Sequence, residues 1–155
     1  MKHKTTLIVR GGGDLASGVI HRLYKCGYQV LVLECAKPSA IRRRVSFGEA
    51  VYDGTSRVEG VTGRLIKDIS ECRKVWDEKE IPILVDENAD AVSELKPDAL
   101  IDAILAKKNL GTTRMMAPLT IGLGPGFTAR VDVDYVVETQ RGHNLARVIE
   151  KGTAA

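Results

Sequence analysis

Three consecutive glycines, Gly11, Gly12 and Gly13, carry the strongest chemical signal in this sequence. They follow a short apolar, β-branched run, Thr5-Thr6-Leu7-Ile8-Val9-Arg10, and precede Asp14-Leu15-Ala16-Ser17-Gly18. The spacing Gly11-x-Gly13-x-x-Ala16 fits the G-x-G-x-x-G/A turn that brings a pyrophosphate onto backbone amides. The first glycine permits the tight turn and the second lets phosphate approach the backbone. A small third residue lets helix and strand pack closely. The helix that follows adds free N–H groups and the positive end of its dipole. Gly11, Gly12, Gly13, Asp14, Leu15 and Ala16 are therefore expected to hold the phosphate of a cofactor. The competing reading is a strand–helix turn that serves packing alone. Asp14 also suits the N-cap of the helix.

Glu34 is the second candidate. It closes the apolar run Gln29-Val30-Leu31-Val32-Leu33 about twenty residues after the glycines, where an acidic side chain commonly accepts ribose hydroxyls. A carboxylate there repels a 2′-phosphate, which favours NAD over NADP, although the following Arg42-Arg43-Arg44 could accept one. The simpler reading of that triplet is an exposed face for an acidic partner. Gly122-x-Gly124-Pro125-Gly126 can form a second anion-binding turn, although Pro125 offers no N–H and a plain tight turn fits as well. Lys107, in Lys107-Lys108-Asn109, can meet phosphate as a point charge or lie on a solvated surface. Glu138, Arg141 and His143 are the most enzyme-like set. A carboxylate can hold Mg²⁺ with ligand phosphates, an arginine can clamp an anion, and a histidine can move a proton near neutral pH. The alternative is an Arg–Glu pair with the histidine capping a helix. Asp86 is a weaker candidate of the same kind. Asp102, inside an apolar run, must be hydrogen-bonded or paired.

The elements that position these residues follow from periodicity. Residues 5–10 and 29–34 read as strands joined by a helix whose Leu15, Val19, Ile20 and Leu23 share a face and whose end is marked by Gly27. Pro38 and Ser39 suit the start of a short helix to about Ala50, and Tyr52-Asp53-Gly54-Thr55 a turn. Residues 59–67 alternate as a strand, and 68–79 repeat at helical spacing behind Asp68 or Ser70. Strands are expected at 81–86, 99–105, 119–122 and 135–138, a short helix at 89–95, and a helix or strand at 143–149. Such alternation predicts an α/β fold, a doubly wound, mostly parallel sheet in a Rossmann-like three-layer sandwich. The loops following strands then share one edge, where ligands bind at the reversal of strand order.

Composition narrows the class. The chain has 155 residues, 44% hydrophobic, 28% charged and only 5% aromatic. That predicts one domain, residues 1–155, with an aliphatic core suited to a covered parallel sheet. A net charge of +3 is too mild to imply nucleic acid. No apolar run approaches the roughly 18 residues of a membrane span, nor does the start resemble a signal peptide, so the expectation is cytoplasmic with no membrane partner. Cys26, Cys35 and Cys72 are odd in number and widely spaced, arguing for free thiols and against a zinc site or disulfide framework.

A longer string is more distinctive: Ala106-Lys107-Lys108-Asn109-Leu110-Gly111-Thr112, Ala117-Pro118-Leu119, Gly122-Leu123-Gly124-Pro125-Gly126-Phe127 and Glu138-Thr139-Gln140-Arg141-Gly142-His143-Asn144-Leu145. With Arg10 to Gly18 it resembles the YqeB family, accessory proteins of selenium-dependent molybdenum hydroxylases, and more loosely XdhC-type accessory domains. The resemblance implies glycines where this chain has Arg130 and Ala146. It also implies that the family continues into a glycine-rich β domain, residues 1–155 being the N-terminal part. It further implies a role in maturing a molybdenum enzyme, with that hydroxylase as partner; self-association stays open. The ligand expected is NAD or another nucleotide, with Mg²⁺ as companion, or a molybdopterin-type cofactor held by its terminal phosphate. Two other readings stand beside this one. One is an NAD-dependent oxidoreductase with His143 as acid or base. The other is a ligand-free scaffold that docks a molybdenum enzyme or a sulfuration partner.

Overall fold

The computed structural model describes residues 4–40 and 42–155. Chain order runs β1 (Thr6–Arg10), α1 (Asp14–Lys25), β2 (Gln29–Glu34), α2 (Ala50–Asp53), β3 (Thr55–Val58), β4 (Val61–Ile66), α3 (Cys72–Asp77), β5 (Ile81–Val85), α4 (Ala91–Leu95), β6 (Ala99–Asp102), β7 (Leu119–Leu123), β8 (Thr128–Ala129), β9 (Tyr135–Val137), β10 (Val148–Ile149) and β11 (Gly152–Thr153). Among the described residues, nine strands form one sheet of order β10-β9-β7-β6-β1-β2-β5-β4-β3, and β8 pairs with β11 apart from it. Every neighbouring pair from β4 to β9 is parallel, and only the flanking β3 and β10 run antiparallel. The fold is thus mixed α/β around a large, mostly parallel sheet.

The central strands alternate between two cores because strand side chains alternate between faces. Leu7 and Val9 of β1, Val30 and Val32 of β2, and Ala99 and Ile101 of β6 pack with Ala16 and Ile20 of α1 and with Phe47 and Ala50. Ile8, Leu31, Leu33 and Leu100 face the other way, onto Cys72 and Val75 of α3 and Ala91 of α4. Each fully buried aliphatic side chain contributes about 1.5–3 kcal/mol of transfer free energy. Helix cover is modest. Among the described residues no α-helix crosses between β6 and β7 or between β7 and β9, where Phe127, Ala129, Val133 and Val136 form a separate small core.

Local chemistry explains the ends of α1 and α3. Gly27 takes φ +96° just past α1, and the N–H groups of Gly27 and Tyr28 bond to the carbonyls of Tyr24 and Leu23, which satisfies the last turn. Asp68 accepts from the Ser70 N–H while Glu71 reaches back to the Asp68 N–H, a capping box ahead of α3.

Several sequence expectations need correction. The helix expected up to Ala50 is two 3₁₀ turns, Arg43–Val45 and Phe47–Glu49, followed by α2, which takes in Tyr52 and Asp53. The strand expected over 59–67 is present as β4, but it starts at Val61: Glu59 and Gly60, both at positive φ, close a hairpin between β3 and β4. The segment 143–149 contributes only β10. Leu15 lies 48% exposed rather than in the core, while Val19 and Leu23 do pack inward. Arg130 and Ala146 adopt φ of 68° and 67°, the left-handed region that glycine favours.

Candidate functional site

Parallel pairing brings the C-terminal ends of β1, β2, β5, β6, β7 and β9 to one edge of the sheet. The chain leaves β1 for β2 on one side and later returns as β6 on the other, so strand order reverses between β1 and β6. Ligands of open α/β sheets bind in the crevice at such a reversal.

Gly11 to Gly13 sit there, and each has a different task. Gly11 has φ +100°, and a Cβ on it would lie 2.8 Å from the Ala103 carbonyl oxygen, so only glycine lets the turn pack against the loop after β6. Both polar groups of Gly12 are engaged. Its N–H donates to Glu34 Oε2 at 2.7 Å, and its carbonyl accepts from Ser46 Oγ at 2.6 Å, the Gly48 N–H at 2.8 Å and Ser17 Oγ at 3.2 Å. The Phe47 N–H in turn donates to Ser17 Oγ at 2.8 Å. Residues 46–48 therefore strap the glycine turn from outside. Gly13 is open: it has φ −75°, and a Cβ there would meet nothing within 4 Å.

Gly13, not Asp14, is the N-cap of α1, and among the described residues no side chain caps this end. The first helical bond runs from the Ser17 N–H to the Gly13 carbonyl at 2.8 Å, so the amides of Asp14, Leu15 and Ala16 precede the ladder. Asp14 instead accepts the Arg42 N–H on its carboxylate at 3.0 and 3.2 Å, tying the helix to the segment after β2. A cleft of about 500 Å³ opens at this helix end, lined by Gly13, Asp14, Leu15, Ala16, Ser39, Ala40 and residues 103–105. Glu34 holds the far side of the turn. Besides Gly12, it accepts the Cys35 N–H on Oε1 at 2.8 Å.

The other predicted residues part company here. Gly124 and Gly126 do approach this edge, since a Cβ on Gly126 would lie 2.7 Å from the Lys108 Cα and one on Gly124 3.0 Å from Leu105 Cδ2. They pack the turn after β7 against the loop after β6, and Lys107 and Lys108 beside them are exposed. Gly122 lies within β7, where a Cβ would strike the Phe127 ring at 2.5 Å, so packing accounts for it. Arg141 and His143 are exposed and line none of the clefts at this edge.

Glu138 is buried and engaged by backbone. It accepts from the Ala155 N–H at 2.9 Å, the Gln140 N–H at 2.9 Å and the Thr139 N–H at 3.0 Å. The Ala155 bond first, then that of Gln140, holds its carboxyl below the usual carboxylate range against the opposing effect of burial; Thr139 adds to this. It pins the last residue of the chain and the loop after β9, and the open groove of about 800 Å³ beside it belongs to that tail. Asp86 likewise accepts the N–H groups of Asp90 and Ala91 at the start of α4. Among the described residues no group of three His, Cys, Asp or Glu side chains converges as a metal site, and no helix is long and apolar enough to cross a membrane. His3 lies outside the described residues.

The sequence reading passed over Ser46 and Gly48, which grip Gly12, and over Arg10 and Thr112. Arg10 carried a signal: it is a charged residue directly after Leu7-Ile8-Val9 in a buried strand, and it is only 2% exposed. Asp102 is buried and hydrogen-bonded, as its place in an apolar run requires.

No family model matches the chain, and no solved structure does. A protein of Escherichia coli (strain K12), "Uncharacterized protein YqeB", is 51% identical over 148 residues, which is 96% of this chain and 27% of that protein. The chain thus spans about a quarter of the length of this relative. Over nearly its whole length the chain is similar to part of this protein.

Proposed function

We propose, with that kinship to YqeB as premise, that the chain is a Rossmann-like nucleotide- or cofactor-binding domain. Its role is that of an accessory in maturing selenium-dependent molybdenum hydroxylases. One observation carries the binding reading: α1 begins at the reversal of strand order with no side-chain cap among the described residues, and its first turn opens onto a cleft. An anion would supply the missing partner for those amides, where the helix dipole also favours negative charge. The strap on Gly12 supports this reading, because a turn already held in place loses little entropy when phosphate arrives. Glu34 takes the ribose diol, and the field of its carboxylate favours NAD over NADP. Any Mg²⁺ arrives with the phosphates, since Glu138 is spent on backbone N–H groups. The oxidoreductase reading gains nothing from the geometry, as exposed His143 lines neither cleft at this edge.

The test is a thermal-shift panel of NAD, NADH, NADP, ATP, CTP and GTP, each with and without Mg²⁺. A ligand at one hundred times its dissociation constant stabilises by about 2.7 kcal/mol. At this chain length that is a rise of roughly 5–11 °C. A selective rise supports the reading and names the ligand. A flat panel, repeated with a molybdopterin-type cofactor, refutes it. The maturation role predicts that a molybdenum hydroxylase is retained by the immobilised chain in a ligand-dependent manner.

A further inference from the structure

A narrower cleft of about 340 Å³ adjoins the first along the same edge, and Ile104 lines both. Leu33, Ile104 and Leu110 supply its apolar walls, and Arg10, Glu34, Asp86 and Glu87 are the charged residues that line it. Leu110 is 45% exposed, on a loop held by side-chain hydrogen bonds. Asn109 accepts the N–H groups of Gly111 and Thr112 and donates to the Thr112 carbonyl at 2.8 Å. Beneath the loop lies a buried polar chain. Arg10 donates through Nη1 to Thr112 Oγ1 at 2.8 Å, and Thr112 Oγ1 donates to Asp102 Oδ2 at 2.7 Å. Arg10 Nη2 also donates to the carbonyls of Glu87 at 2.8 Å and Leu110 at 3.4 Å.

Arg10 and Asp102 are register partners on β1 and β6, the two strands that flank the reversal. Burying both charges is costly unless they are paired and hydrogen-bonded, and hydrophobic replacements would often serve stability as well. What this arrangement achieves is to hold the Leu110 backbone at one place over the cleft.

We propose that this second cleft takes the nucleobase of the bound nucleotide, with Leu110 as its apolar contact and Arg10, Thr112 and Asp102 as positioning residues. The proposal rests on the nucleotide reading above. Phosphate at α1 and ribose at Glu34 leave the base to extend between Leu33, Ile104 and Leu110, and a ring face buries well against aliphatic walls.

Titration calorimetry with ADP, GDP, CDP and inorganic pyrophosphate separates the two readings. Leu110→Ala should weaken the tightest of the three nucleotides about tenfold while pyrophosphate binding hardly changes. Thr112→Val should shift the nucleotide-to-pyrophosphate ratio in the same direction, and Thr112→Ser should restore it. Wild-type nucleotide affinity in Leu110→Ala, with binding still lost in Gly13→Val, would overturn the base cleft and leave the phosphate site standing. Equal weakening of nucleotide and pyrophosphate by Leu110→Ala would also overturn it. If the unaltered protein binds none of the four probes, the base cleft falls, while the phosphate reading is decided by the thermal-shift panel.

Discussion

Gly13→Val separates ligand binding from folding at the glycine turn. The backbone at Gly13 is extended, with φ −75° and ψ −166°, which a β-branched residue adopts without strain. A Cβ there has open space, so the unliganded variant should be as stable as the parent. The gain of about 0.4–1 kcal/mol from restricting the unfolded chain is offset by valine being a poorer N-cap than glycine. The valine methyls instead enter the cleft before the amides of Asp14 to Ala16. Losing one hydrogen bond to a charged oxygen costs about 1.5–3 kcal/mol, which is roughly a ten- to 150-fold loss of affinity. For a hundredfold loss, at a ligand concentration one hundred times the parent's dissociation constant, stabilisation falls from about 2.7 to about 0.4 kcal/mol. The thermal shift should shrink from roughly 5–11 °C to roughly 1–2 °C. Gly11→Ala is the contrast. Its positive φ and the 2.8 Å approach to Ala103 predict a loss of fold stability of about 1–3 kcal/mol. An undiminished ligand shift in Gly13→Val would refute the placement of phosphate at this helix. A Gly13→Val protein several degrees less stable without ligand would refute the geometry itself.

Other sites give sharp expectations. The carboxyl of Glu138 sits below its unfolded value in the native state, so its contribution to stability is full above the unfolded carboxylate pKa. That contribution is lost as pH falls through the lower native value. Glu138→Gln should therefore lower the melting temperature at pH 7, flatten its decline in acid, and speed amide exchange at Ala155; an unchanged acid limb would contradict this. Ala146→Gly relieves a left-handed backbone at an exposed loop and should raise stability by about 0.5–1 kcal/mol, read as a higher denaturant midpoint with unchanged slope. Burial, then the charges of Asp68 and Glu71, pushes the Cys72 thiol up to about 12, while Cys26 is exposed. Alkylation at pH 8 should thus modify Cys26 first and Cys35 more slowly, since burial and then Glu34 raise its thiol; Cys72 should react only on unfolding.

The elements read correctly from the sequence are those whose cause is local. β1, α1 and β2 announce themselves through continuous aliphatic runs, a helical repeat and Gly27, all of which act within a few residues of one another. Asp68 and its capping box are local in the same sense. The β3–β4 hairpin was missed because its turn is Glu59-Gly60, which lacks the Asn or Asp that usually marks such a turn. In the segment after Pro38, helical propensity yields to the grip of Ser46 and Gly48 on Gly12, a contact decided outside the segment.

The same division runs through the candidate site. From the sequence alone came a glycine turn followed by a helix, an acidic residue closing the next strand, and loops gathered on one edge of a parallel sheet. Each of these follows from short-range sterics and periodicity. Tertiary structure alone decided where the polar groups find partners. Glu34 reaches from the end of β2 to Gly12 after β1, Glu138 spends its charge on the tail, and Arg10 meets Thr112 about a hundred residues away. A carboxylate or guanidinium is chemically the same whether it waits for a ligand or is already satisfied. Only the packed chain, which must pair each polar group it buries, distinguishes the two.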